Sequence, residues 1–150
     1  MKKNEKFRER ISELFCSQKL AALSTHSDGQ PYTSLVAFFA AEDLRCLYFV
    51  TPRTTRKFAN LKTDSRVALM VNNSSNQAAD FHRAISVTAV GKAEEVDGSD
   101  KEPLLSQYLE KHPYLEDFVR SPTSALVRVS IGTYYLVRNF QNVLEMHISP

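Results

Sequence analysis

Apolar residues recur along the chain with two different spacings, and each change of spacing marks an element. Over residues 3–15, Phe7, Ile11, Leu14 and Phe15 fall at i, i+4, i+7 and i+8, one stripe of an amphipathic helix. From Lys19 the period shortens. "LAALSTHSDGQPYTSLVAFFA" predicts strand, turn, strand, with Asp28-Gly29 as the hairpin signal. Residues 44–51, "LRCLYFVT", are rich in β-formers and predict a third strand. A short helix follows from Thr54 or Thr55, presenting Phe58 and Leu61, and then a fourth strand over residues 66–71. "NNSSNQAAD" is a polar loop, and residues 84–96 predict a long fifth strand with Gly91 as a bulge or bend.

Beyond Val96 a turn over residues 97–100 leads into a helix with Pro103 near its first turn. That helix presents Leu104, Leu105, Tyr108 and Leu109 and ends before Pro113; a second helical turn is expected over residues 114–119. Two strands close the chain, over residues 125–137 and 142–148. In the last one Leu144, Met146 and Ile148 alternate with Val143, Glu145 and His147, giving one apolar face to bury.

About seven strands joined mostly by tight turns, with helices inserted at a few points, predict a closed or partly closed antiparallel barrel. The expected core is Leu20, Ala22, Leu23, Leu35, Phe38, Leu47, Phe49, Val67, Leu69, Val87, Val90, Leu126 and Val129. No repeat, low-complexity stretch or linker divides the chain, so one domain is expected over residues 1–150.

Composition narrows the function classes. Apolar residues make up 43% and charged residues 24%, ordinary globular usage. A net charge of +2 from scattered basic residues does not point to nucleic acid. "MKKNEKFRER" has no apolar run behind its lysines, and no stretch approaches a membrane span, so a cytoplasmic protein is expected. Cys16 and Cys46 form no CxxC and read as reduced thiols, buried or at an edge.

The side chains offer little chemistry of their own. His26, His82, His112 and His147 are scattered without metal-ligand spacing. His26 is expected at a turn, His82 leading into a strand, and His112 as a cation at a helix C-terminus; His147 lies on a strand able to fold back over a site. GxSxG, GxGxxG and Walker loops are absent. Cys16, beside Phe15 on a helix, reads as packed rather than reactive. Glu94 and Glu95 point to opposite faces of a strand and make no carboxylate dyad. A bound cofactor is the natural alternative source of chemistry.

One feature of the charge pattern is unusual. The short helix after the third strand begins with Arg56 and Lys57, with Arg53 just before, and meets no acid until Asp64. The helix dipole disfavours cations at that end by about 0.3–1 kcal/mol each. Either an anion such as a phosphate sits on the free amides with the basic side chains around it, or these are solvated surface charges tolerated at small cost.

Three blocks, "DGQPYTSLVAFF", "LYFVTPRTTRKFANLKTDSRVALMV" and "VTAVGKAEEV", together resemble the pyridoxamine 5'-phosphate oxidase-like FMN-binding split-barrel family. The resemblance spans residues 19–96. It implies a mainly β fold with flanking helices, a Greek-key split barrel. It also implies that Thr55, Arg56 and Lys57 bind the FMN phosphate, that Ser34, Leu35 and Val36 lie along the isoalloxazine, and that Val50 and Thr51 join them from the end of the third strand. A homodimer with cofactor at the interface is a further implication.

The departures limit the activity. The oxidase proper has an arginine and a glutamine where this chain has Ser34 and Ser86, and it has a C-terminal tryptophan and Arg-x-His motif. This chain has no tryptophan and ends "YYLVRNFQNVLEMHISP". The expectation is therefore an FMN-dependent oxidoreductase acting on a small molecule, not the oxidase itself. A non-catalytic flavin or haem binder, and a deazaflavin (F420) reductase, are the competing readings. Tyr32, Asn72, Asn73 and His147 are candidates for the open face of the pocket, and more readily for plain structural roles.

Overall fold

Asp28 and Gly29 sit at φ 50° and 78°, the left-handed pair that a two-residue type I′ hairpin needs to match strand twist. From that turn β1 (Leu20–Ser27) and β2 (Gln30–Ala40) pair along their whole facing length, Ser27 with Gln30 through Leu20 with Ala37. The computed structural model describes residues 2–149. Its other strands are β3 (Cys46–Pro52), β4 (Arg66–Asn72), β5 (Ile85–Glu95), β6 (Ser124–Arg138) and β7 (Asn142–His147). The sheet order is β3-β2-β1-β4-β5-β6-β7, and an added β3–β6 pairing closes six strands into an antiparallel barrel. β6 makes this possible by its length. Its first half pairs with β3, its second half with β7, and β5 runs beside nearly all of it.

The bend that lets β6 serve two neighbours lies where the register against β5 shifts, between Val90 and Gly91. A Cβ on Gly91 would lie 2.1 Å from the Ser130 carbonyl oxygen, so only glycine fits that close approach. The bulge expected at Gly91 is present for that reason.

The barrel interior takes alternate residues: Ala21 and Leu23 of β1, Val36 and Phe38 of β2, Leu47 and Phe49 of β3, Val67, Leu69 and Val71 of β4, and Val87 and Ala89 of β5. The helix α1 (Lys2–Ser17) plugs one end with Phe7, Ile11, Leu14 and Phe15. Four residues of the expected core are not fully buried. Leu20 (53% exposed), Leu35 (67%) and Val90 (40%) face outward, and Ala22 is half-buried on the same outer face. In each strand the opposite parity carries the interior residues.

A second apolar cluster forms outside the barrel. Phe39, Tyr48, Val50 and Leu126 face out from β2, β3 and β6 and meet Leu105 and Tyr108 of α4 (Lys101–Lys111) and Val119 of α5 (Glu116–Arg120). β3 is thus buried on both faces, which explains its continuous apolar run. β7 pairs with β6 from Asn142 to His147 and buries Met146, with Leu144 and Ile148 partly covered. No helix among the described residues is long and apolar enough to cross a membrane.

His112, expected as a surface cation, is 6% exposed at the end of α4. Its Nε2 lies 2.7 Å from the Phe38 carbonyl, and burial, with the charges of Lys111 and Lys19, lowers its pKa against the opposing effect of that hydrogen bond. His26 lies within β1 and not at a turn, 3.1 Å from Asp64. His82 lies in α3 (Asp80–Arg83), a single helical turn inside the expected polar loop. Cys16 is exposed at the end of α1 rather than packed, while Cys46 is half-buried at the start of β3.

Candidate functional site

The basic helix is α2, Arg56–Thr63. Thr55 caps it in extended backbone (φ −81°, ψ 155°), and its Oγ1 accepts the Phe58 amide. The first amides of any helix lack an intrahelical acceptor. With Phe58 served by Thr55 Oγ1 and Ala59 bonded to the Thr55 carbonyl, the amides of Arg56 and Lys57 remain as donors at the helix start. Thr55 Oγ1 is also 2.9 Å from Thr51 Oγ1 and 3.1 Å from the Pro52 carbonyl. Thr51 is buried and acts on this end through Thr55.

The three cations are not equivalent. Arg53 lies 2.5 Å from Glu95 and also donates to the Pro122 and Ser124 carbonyls. Lys62 approaches the same carboxylate at 3.6 Å. Burial works to raise the Glu95 carboxyl, but the Arg53 hydrogen bond and the charges of Arg53 and Lys62 prevail and hold it below its ordinary value. Arg53 therefore belongs to a structural clamp between the β3–α2 turn and β5. Among the described residues, Arg56 and Lys57 enter no ion pair. Arg56 stands 6.0 Å from the centre of the Tyr32 ring.

Arg56 separates two recesses at this end of the barrel. One, of about 400 Å³, lies against Ser27, Thr54, Thr55 and Asn60; the other, of about 380 Å³, lies against Gln30, Pro31, Tyr32 and Asn60. The site is thus the gap between the α2 start and the β1–β2 hairpin. Asn60 fixes its floor: buried, it donates to Thr25 Oγ1 at 3.1 Å and ties α2 to β1.

Ser34, Val36 and Phe38 share the inward face of β2. Ser34 Oγ is buried with no hydrogen-bond partner among the described residues, a vacancy that a buried hydroxyl ordinarily fills. Val36 packs into the barrel core and Val50 into the outer cluster, so neither side chain is open to a ligand. Leu35 faces out at the head of an apolar row that crosses the sheet. It pairs with Ala22, Ala22 with Met70, and Met70 with Thr88.

The structure brings Thr51, Thr55, Arg56 and Lys57 together at one end, with the β2 residues on the adjoining strand. Ser27 and Asn60 were not among the residues expected at the site. Asn60 gave one weak signal, a polar residue next to Leu61 on a helix whose other face meets the barrel. His147 stands apart, exposed on β7 with Nδ1 3.1 Å from Thr133 Oγ1 and Nε2 2.9 Å from Glu145.

The profile of the family described as Pyridoxamine 5'-phosphate oxidase matches residues 7–138. No curated protein matches the chain in sequence. Among solved structures, a protein related to general stress protein 26 of B. subtilis, from Clostridium acetobutylicum and described as of the pyridoxinephosphate oxidase family, is 19% identical with a TM-score of 0.75, covering 96% of each chain. A FAD-binding protein from Mesorhizobium loti is 17% identical (TM-score 0.67; 91% of this chain, 90% of that one). A haem-binding protein from Mycobacterium smegmatis is 14% identical (TM-score 0.82) and is covered to 57% of its length by 93% of this chain. At these identities the likeness is one of fold, a split barrel with flanking helices.

Proposed function

The chain belongs to the pyridoxamine 5'-phosphate oxidase family, and from that premise we propose that it is an FMN-binding flavoprotein that moves electrons to or from a small molecule. The observation that carries this reading is the pair Arg56 and Lys57. Both stand at a helix start without a carboxylate partner among the described residues, and Arg56 lines two recesses that open on the same gap. A doubly charged phosphate there receives two backbone amides and two charged side chains. The ring would lie along β2, where Ser34 Oγ still lacks a partner. When bound, flavin supplies hydride chemistry at its own N5. The protein's residues bind and orient it: Arg56, Lys57 and the Thr55 cap at the phosphate, with Thr51 holding Thr55 in place.

We extend the proposal to a homodimer. Leu20, Leu35, Met70 and Val90 are exposed on one outer face of β1, β2, β4 and β5, an apolar surface of the kind that marks an interface.

Haem binding is a second reading, favoured by the likeness to the mycobacterial haem-binding protein. His147 is the histidine most open to such a role, yet both its ring nitrogens already have partners. The visible spectrum of purified protein separates these readings. A two-banded flavin spectrum supports FMN, a Soret band supports haem, and a single deazaflavin band supports F420. Titration of apo-protein with FMN and riboflavin then tests the phosphate site. FMN binding at least about tenfold tighter than riboflavin is expected from charge-assisted hydrogen bonds, and equal affinities would overturn the phosphate assignment.

A further inference from the structure

On the side of the barrel occupied by α1 and α4 lies a cavity of about 410 Å³ that the reading above does not use. Phe15, Phe39 and Leu44 form apolar walls, and Gln107, Glu110 and Lys111 of α4 line it with them. Lys111 does not extend into solvent as a surface lysine does. Its Nζ donates to the Phe15 carbonyl at 2.8 Å, among the last carbonyls of α1, and lies 3.9 Å from the centre of the Phe38 ring. The amine is therefore held at one place by a helix end and an aromatic face.

We propose that the Lys111 amine captures small apolar aldehydes, which enter this cavity and condense with it to an imine. The nitrogen lone pair attacks the carbonyl carbon and a C–N bond forms. A proton passes from nitrogen to oxygen, water leaves, and C=N remains. No oxidant or reductant is consumed. The reaction needs a neutral amine, and burial pushes the Lys111 pKa down to about 8, against a smaller opposing effect from Cys16. In its neutral form the amine keeps an N–H for the Phe15 carbonyl and a lone pair for the electrophile. The ionisable groups around it are Cys16 of α1, Glu42 after β2, Glu110 of α4, and His112 and Lys19 nearby. The apolar walls favour an uncharged, ring-sized or short-chain aldehyde. The proposal does not rest on the flavin reading.

Benzaldehyde with cyanoborohydride at pH 7.5, followed by peptide mass spectrometry of the full-length protein, tests it. At that pH an amine of pKa 8 is about a quarter neutral, against about a thousandth for an ordinary exposed lysine. A less basic amine is also less nucleophilic, so the expected advantage is about tenfold or more for Lys111 over Lys62 and Lys92. Its rate should also saturate with benzaldehyde concentration, as binding in a cavity requires, while theirs rises linearly. Ser12 of α1 also lines the cavity; Ser12→Phe leaves Lys111 intact, puts a ring into that space, and should bring Lys111 labelling down to the level of the others. Comparable rates at all lysines of the wild-type protein, or undiminished Lys111 labelling in a folded Ser12→Phe protein, would overturn the proposal.

Discussion

Asn60 of α2 donates a buried hydrogen bond to Thr25 of β1 across 3.1 Å. This contact between polar side chains holds the basic helix against the barrel, and so sets where Arg56 and Lys57 stand relative to the hairpin. Removing one partner strands the other in an apolar setting, which costs about 1–3 kcal/mol. Asn60→Ala should therefore lower the unfolding free energy measured in urea by an amount in that range. Replacing both partners with apolar residues should cost less than the sum of the single changes, the non-additivity a double-mutant cycle detects. Additive effects would mean that the contact carries no coupling.

Arg56→Ala/Lys57→Ala should weaken FMN binding by at least about tenfold, since each charge-assisted hydrogen bond contributes roughly 1.5–3 kcal/mol. Riboflavin, lacking the phosphate, should bind the variant and the wild type alike. Arg53→Ala is the informative contrast. Arg53 is engaged by Glu95, so its loss should lower thermal stability and leave the preference for FMN over riboflavin largely in place. Fluorescence titration of the three proteins checks this.

Leu35→Asp places a charge at the head of the exposed outer row. Sedimentation velocity should show the wild type near twice the 17.0 kDa chain mass and the variant near one. A wild type that sediments as a monomer at micromolar concentration with FMN bound would defeat the dimer.

Deleting residues 142–150 removes β7 and uncovers the second half of β6, with the buried Met146 lost from the core. The truncated protein should melt at a lower temperature and retain less flavin through gel filtration. Unchanged values for both would show that β7 is dispensable.

His112 makes stability depend on pH. Its folded pKa is lowered from 6.5, chiefly by burial. Between the folded and unfolded values the unfolded chain binds the extra proton, so stability rises with pH across that window. The contribution is complete above about 6.5 and is lost as pH falls through the folded value. Urea midpoints at pH 7.5, 6.5 and 5.5 should decline with acidity more steeply in wild type than in His112→Gln. Parallel declines would place the acid sensitivity in other groups.

What the sequence determined by itself is local. The hairpin at Asp28-Gly29, the α1 stripe, the α2 start at Thr54 or Thr55, the bulge or bend at Gly91 and the closing strands all rest on spacings or conformational demands within a few residues. The Arg56-Lys57 motif was legible for the same reason. What only the tertiary structure decided involves partners far apart in the chain. Barrel closure pairs β3 with β6, and only that closure determines which parity of an apolar strand is inside: Val36 and not Leu35, Ala89 and not Val90. A strand such as β2 is apolar on both faces, so its pattern alone cannot rank them; the packing of α4 over Phe39 does. Arg53 looked like a third anion ligand until Glu95, 42 residues away, was found against it. His112 looked like a solvated helix end, and it is buried because α4 lies across Phe38. Charge and burial at such positions are set by what the fold brings alongside, a quantity with no signature in the neighbouring sequence.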